Sequence, residues 1–188
     1  FYLRAIELDP DDVKSYNNLG IVYSDQGNLT KSIQNYEKAI ELDPDYAKAY
    51  YNLGFDYANQ GNTTKAIQLL EKSIELDPDN AFAYNNLGIV YANQGNLTKS
   101  IQNYEKSIEL DPDNASAYMN LGIAYANQGN NTKAIQLLEK SIELDPDNAS
   151  AYTNLGGAYY NIGNKQEQIS NYKKGARLGD KSVQDWLK

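Results

Sequence analysis

Without a cysteine or a histidine, the side chains left to do chemistry in this chain are carboxylates, amides, hydroxyls, phenols and lysines. Thiolate nucleophiles, imidazole bases, disulfides and the usual zinc ligands are excluded. Carboxylates cluster at Asp111-Pro112-Asp113 and its copies, which raises calcium binding. Proline stiffens that loop, no twelve-residue glycine-containing ligand loop follows, and helix capping accounts for each Asp. Catalysis by paired carboxylates needs two in one dry pocket, whereas these fall on solvated turns. Asp56 is an isolated acid where its counterparts are Val or Ala, and it is expected to be a partly exposed substitution.

The remaining motifs also have structural readings. Asn28-Leu29-Thr30, Asn62-Thr63-Thr64, Asn96-Leu97-Thr98 and Asn130-Asn131-Thr132 match the N-glycosylation pattern. Each falls at a turn where Thr is expected to cap the following helix. Lys38, Lys72, Lys106 and Lys140 recur beside a Glu and read as a solvated face with local charge pairing. Glycines occur singly, so no phosphate-cradling loop is expected. With 25 acidic and 17 basic residues the net charge is -8, which disfavours nucleic acid and anionic membrane surfaces as partners. Apolar runs are too short for a membrane span, and no secretory leader opens the chain, which points to the cytoplasm.

What positions these groups is an internal repeat. Leu-Asp-Pro ends at Pro10, Pro44, Pro78, Pro112 and Pro146, each 34 residues after the last. A fixed period of this size means a solenoid, in which each unit buries its apolar face on its neighbours. Five copies are read at 13–46, 47–80, 81–114, 115–148 and 149–182, the last one degenerate. Residues 1–12 are the second half of an upstream helix, and 183–188 begin a C-terminal capping helix carrying Trp186. The chain thus reads as an internal fragment of a longer array.

Within the third copy, Tyr84, Leu87, Gly88 and Tyr91 recur at i, i+3, i+4 and i+7, one stripe of a helix. Gly95-Asn96 breaks that helix, and Thr98 is placed as N-cap of the next, whose inner face is Ile101, Tyr104, Ile108 and Leu110. At 100° per residue, Phe82, Asn86, Ile89 and Asn93 fall opposite the core stripe. In the last copy Gln168 and Asp180 replace a small residue and the closing Pro, and looser packing is expected there. Copies one and three carry Asn35-Tyr36 and Asn103-Tyr104 where copies two and four carry Leu69-Leu70 and Leu137-Leu138. Duplication of a two-repeat block and simple drift both explain that alternation.

Tyr84-Asn85-Asn86-Leu87-Gly88-Ile89-Val90-Tyr91, with Ser32, Ala66, Ser100 and Ala134 early in the second helices and a closing Pro, resembles the tetratricopeptide repeat. Tyr stands in the place of its Trp, which explains much of the chain's excess of tyrosine (17, against 3 Phe and 1 Trp). The resemblance implies an all-α fold, a right-handed α-solenoid of antiparallel helix pairs whose first helices line a concave groove. It implies no catalysis, no cofactor, no metal and a protein or peptide partner.

On that implied groove the residues form columns. Asn18, Asn52, Asn86, Asn120 and Asn154 make one; Asp25, Asn59, Asn93, Asn127 and Asn161 a second; Ile21, Phe55, Ile89, Ile123 and Gly157 run between them. An Asn amide offers a donor and an acceptor, the complement of a peptide bond. The expected function is therefore a scaffold holding an extended segment by an asparagine ladder, as certain members of the family do. Near-identical copies also repeat a residue whether or not it is used. Lys14 and Lys48 are the groove cations, and Asn17/Ile21, Tyr51/Phe55 and Asn85/Ile89 stand where a clamp for chaperone C-terminal tails would sit. The clamp is incomplete, so such a tail is disfavoured. The alternatives are a self-assembly module and a recruiting arm of an enzyme whose catalytic domain lies outside this chain.

Overall fold

A computed structural model describes residues 1–186. Among them the secondary structure is entirely helical, in twelve elements. These are α1 (Tyr2–Leu8), α2 (Val13–Asp25), α3 (Leu29–Leu42), α4 (Ala47–Asn59), α5 (Thr63–Leu76) and α6 (Ala81–Asn93). They continue as α7 (Leu97–Leu110), α8 (Ala115–Asn127), α9 (Asn131–Leu144), α10 (Ala149–Asn161), α11 (Lys165–Arg177) and α12 (Lys181–Trp186). α12 starts at Lys181, two residues before the segment expected to begin a capping helix, and residues 187 and 188 lie outside the described ones.

Short turns make the helices alternate in direction. Gly95 adopts φ 78°, a left-handed conformation that other residues reach only at a cost, and the equivalent glycines do the same. The cap that follows is not the expected Thr. Asn96 caps α7 by accepting from the Lys99 amide, and Asn28, Asn62 and Asn130 cap α3, α5 and α9 in the same way. The helix starts directly after the glycine–asparagine pair, so the Asn side chain already reaches the third helical amide. Thr30, Thr64, Thr98 and Thr132 are left exposed in the first turn. At the other turn, Asp43, Asp111 and Asp145 accept the amide two residues on. The carboxylate before the proline in each of these turns thus has a structural role.

The chain divides into two compact units, 1–90 and 91–188. In the first, α2 packs on α3, α3 on α4 and α4 on α5. Gly20 brings α2 so close to α3 that an added methyl would overlap the edge of the Tyr36 ring. Gly54 meets Leu70 instead, where a Cβ would lie 3.0 Å from Cγ. The Tyr/Leu alternation of the second helices is thus a difference in what fills the same crossing. Burial, and then Asp56 and Asp25, raise the Tyr36 phenol well above its usual range.

Asp56 itself overturns the expectation of partial exposure. It is fully buried, accepting from the Ser24 hydroxyl at 2.6 Å and from the Ser32 hydroxyl. A carboxylate tolerates such burial because both its oxygens are satisfied.

In the second unit, α8 packs on α9, α9 on α10, α10 on α11 and α11 on α12. Ala134, Leu138, Leu155 and Ala158 form a buried cluster, with Met119, Ala126 and Ile135 against it. In the last copy the departing positions are held, whereas Ile162, Ile169 and Leu178 are exposed at its outer edge. Gln168 and Asn171 are buried, and Asp180 accepts from Thr153 of α10 at 2.7 Å and from Ser182 of α12 at 2.6 Å. Trp186 stands edge-on to Tyr172, ring centres 4.8 Å apart. The second helices carry exposed Lys38–Glu41, Lys72–Glu75, Lys106–Glu109 and Lys140–Glu143 pairs. Lys31, Lys65, Lys99 and Lys133 lie over the rings of Tyr23, Tyr57, Tyr91 and Tyr125.

Candidate peptide-binding grooves

In the first unit the candidate residues sit on α2, α4 and α6, on the faces turned away from the second helices. The core face holds Leu19, Gly20, Leu53, Gly54 and Leu87, all buried. Rotation by about half a turn brings out Ile21 and Phe55, 37% and 42% exposed, with Phe82 at 60%.

The asparagines between them are held in place. Asn52 donates from Nδ2 to Asn17 Oδ1 at 2.9 Å, and Asn86 from Nδ2 to the Tyr51 hydroxyl at 3.0 Å. Each bond reaches back 35 residues, from one first helix to the one before it. The second N–H and the carbonyl oxygen of both amides have no partner among the described residues. Burial raises the Tyr51 phenol, and the Asn86 bond pulls it the other way.

These helices line a cavity of about 560 Å³. Lys14, Asn17, Asn18 and Ile21 come from α2, and Lys48, Tyr51 and Asn52 from α4. Tyr46, Asn80 and Phe82 complete the wall. Tyr46 and Asn80 were not marked by the column pattern. A signal existed for Tyr46: the residue before each other first helix is Asp12, Asn80, Asn114 or Asn148, and each of those caps its helix. Tyr46 makes no cap bond. Burial raises its phenol, with Asp12 and Asp43 adding to the effect.

The second unit has its own cavity, of about 330 Å³, between α8, α10 and the second helices beneath. Ile123, Asn127, Asn154, Gly157 and Asn161 of the expected columns line it, beside Tyr160 and Tyr172. Gly157 stands where the other copies have Ile or Phe, and its missing side chain leaves the room. Asn154 bonds its own helix, donating to the Ser150 carbonyl at 2.9 Å, and Asn161 donates to Asn131 Oδ1 at 3.0 Å. Asn120 and Ile89 are half-buried; Asp25, Asn59 and Asn93 are exposed at helix ends. Phe55 lines neither cavity.

Repeated pairs of antiparallel helices, with a glycine at each crossing and polar and apolar columns on the first helices, define a helical-repeat solenoid. The comparisons agree. Residues 22–61, 56–95, 90–129 and 124–163 match the family described as TPR repeat, and 1–34 and 149–178 match tetratricopeptide repeat families. The chain belongs to the tetratricopeptide repeat family, and its fold is the right-handed α-solenoid. Such proteins generally serve as non-catalytic scaffolds for protein interaction.

No curated protein matches the sequence. Among solved structures, YrrB, described as a TPR protein with an unusual peptide-binding site, is 25% identical with a TM-score of 0.74, covering 97% of this chain and 94% of its own. A MamA structure is 30% identical with a TM-score of 0.75, covering 88% and 96%. PilF of Pseudomonas aeruginosa, at 23% identity and a TM-score of 0.84 over 90% and 77%, shares the fold. No helix among the described residues is long and apolar enough to cross a membrane.

Proposed function

We propose that the chain is a scaffold that holds an extended polypeptide segment along its first helices, gripping the segment's backbone with asparagine amides. The carrying observation is the anchoring of Asn52 and Asn86 by Asn17 and Tyr51. One N–H of each amide fixes the side chain, while the other N–H and the oxygen remain for a guest. A side chain already held in place loses little rotamer freedom on binding, so more of the hydrogen-bond energy appears as affinity. Ile21 and Phe82 supply apolar contact beside the amides. The resemblance in fold to YrrB, whose peptide-binding site is described for that protein, supports the same reading.

The test uses peptides selected on the folded chain from a random display library. Asn18→Ala, Asn52→Ala and Asn86→Ala together should weaken the selected peptides tenfold or more, at about 0.5–1.5 kcal/mol per lost hydrogen bond. Unchanged affinity in a triple variant with wild-type circular dichroism would remove the ladder.

A further inference from the structure

We infer that the groove of the first unit takes an acidic segment: an extended peptide with two side-chain carboxylates, two or three residues apart, at Lys14 and Lys48, and an apolar side chain against Ile21 and Phe82. This rests on the peptide-groove reading and names the class of peptide.

Charge is the first reason. The chain is acidic overall, yet none of the residues lining the 560 Å³ cavity is acidic, and two are lysines. The second reason is what those lysines lack. Every lysine of α3, α5, α7 and α9 sits in a glutamate pair or over a tyrosine ring, whereas Lys14 and Lys48 have no ion pair or ring partner among the described residues. They occupy the same position, the second residue of α2 and of α4. Packed neighbouring helices lie about 8–10 Å apart. An extended chain covers that distance in about two to three residues.

Tyr46 is the third reason. Asp or Asn holds its place in the other copies and caps a helix there; Tyr46 gives up the cap and lines the cavity beside both lysines. A local rule broken at a cavity wall is where function is expected to override stability. The column containing the lysines also changes along the sequence, to Phe82 and then Ser116 and Ser150. The cavity of the second unit is lined by no charged residue. Along the outward faces of the first helices the cationic character is therefore local to one groove and does not follow from the repeat itself; Lys174 and Arg177 line a separate pocket beside Tyr152 and Leu178.

Panning a random dodecapeptide library, displayed without a free C-terminus, against the whole chain tests this. The selected pool should be enriched in Asp and Glu at i and i+2 or i+3, next to an apolar residue. Its best members should lose at least tenfold in affinity on K14E/K48E and bind less tightly as salt rises. The same library panned on K14E/K48E should give a pool rich in Lys and Arg. Reversing Lys173 and Lys181, exposed on α11 and α12, should leave the acidic preference in place. A neutral or basic wild-type pool overturns the inference and leaves the groove reading standing. So does acidic enrichment that survives K14E/K48E or disappears with K173E/K181E. Failure to enrich any peptide overturns both.

Discussion

Three equivalent positions, seen in two places, show how differently one repeat can close on the next. Between the first and second copies they are Ser24, Ser32 and Asp56, a buried carboxylate receiving two hydroxyls. Between the fourth and fifth they are Ala126, Ala134 and Ala158, part of an apolar cluster with Leu138 and Leu155. The same backbone accommodates both chemistries, and between the third and fourth copies it holds a lone serine, Ser100, among alanines. A carboxylate alone would be an unsatisfied charge in a dry site, which costs far more than the paired arrangement contributes.

The sharpest way to break the comparison is to put the acid where nothing answers it. Ala158→Asp meets two alanines and two leucines and should lower stability by about 3–5 kcal/mol, read as a fall in the urea midpoint. The intermediate junction grades the effect: Ala124→Asp would face Ala92 and the buried Ser100 hydroxyl, which lies beside the Tyr104 phenol, and should cost visibly less. Equal losses at the two sites would show that hydroxyl pairing is not what makes Asp56 tolerable.

Removing the carboxylate alone comes next. Asp56→Ala takes the acceptor from the Ser24 hydroxyl, while Ser32 keeps the Leu29 carbonyl at 3.0 Å, and should cost about 1–3 kcal/mol. The triple variant Ser24→Ala, Ser32→Ala, Asp56→Ala recreates the apolar junction and should return to within about 1 kcal/mol of the wild type. A triple as unstable as the single changes added together would mean that the three residues do not act as a unit.

The smallest effect belongs to a carboxylate near solvent. Asp180 is held below the usual carboxylate range by the Ser182 hydroxyl first and then by Thr153. A folded-state pKa below the unfolded value means that the tie is complete above the ordinary aspartate value of about 4, and fades as pH falls through the lowered one. Trp186 emission should therefore shift to the red in that acid range, as α12 loosens from Tyr172. Asp180→Ala should show the shifted emission already at neutral pH, with no further acid step.

The helix pairs, the buried stripe and the outward columns were legible because they follow from period and from 100° per residue. Asp56 was not. Its partners lie 32 and 24 residues away, and Ser24 looks unremarkable until it is aligned with the alanines of its own column. The capping error had a smaller scale: Asn96 and Thr98 are both good caps two residues apart, and only the path of the chain after Gly95 decides between them. Tyr46 was visible as a break in a column of Asp and Asn, but its significance needed the cavity wall. The anchoring of Asn52 and Asn86 depends on how closely adjacent helices approach, which no pattern within one copy contains.

The hydroxyl–carboxylate knot also gives the copies an order. Most of this sequence looks interchangeable, so that a gene could lengthen or shorten by whole copies with little harm. The second copy is the exception. Duplicated in tandem, it would press its aspartate against Ala58 and Ala66; moved behind the third, it would find a single serine. Recombination that shuffles the array is free to act at the alanine junctions and is penalised at this one, so a lineage that keeps Asp56 must keep its neighbour as well.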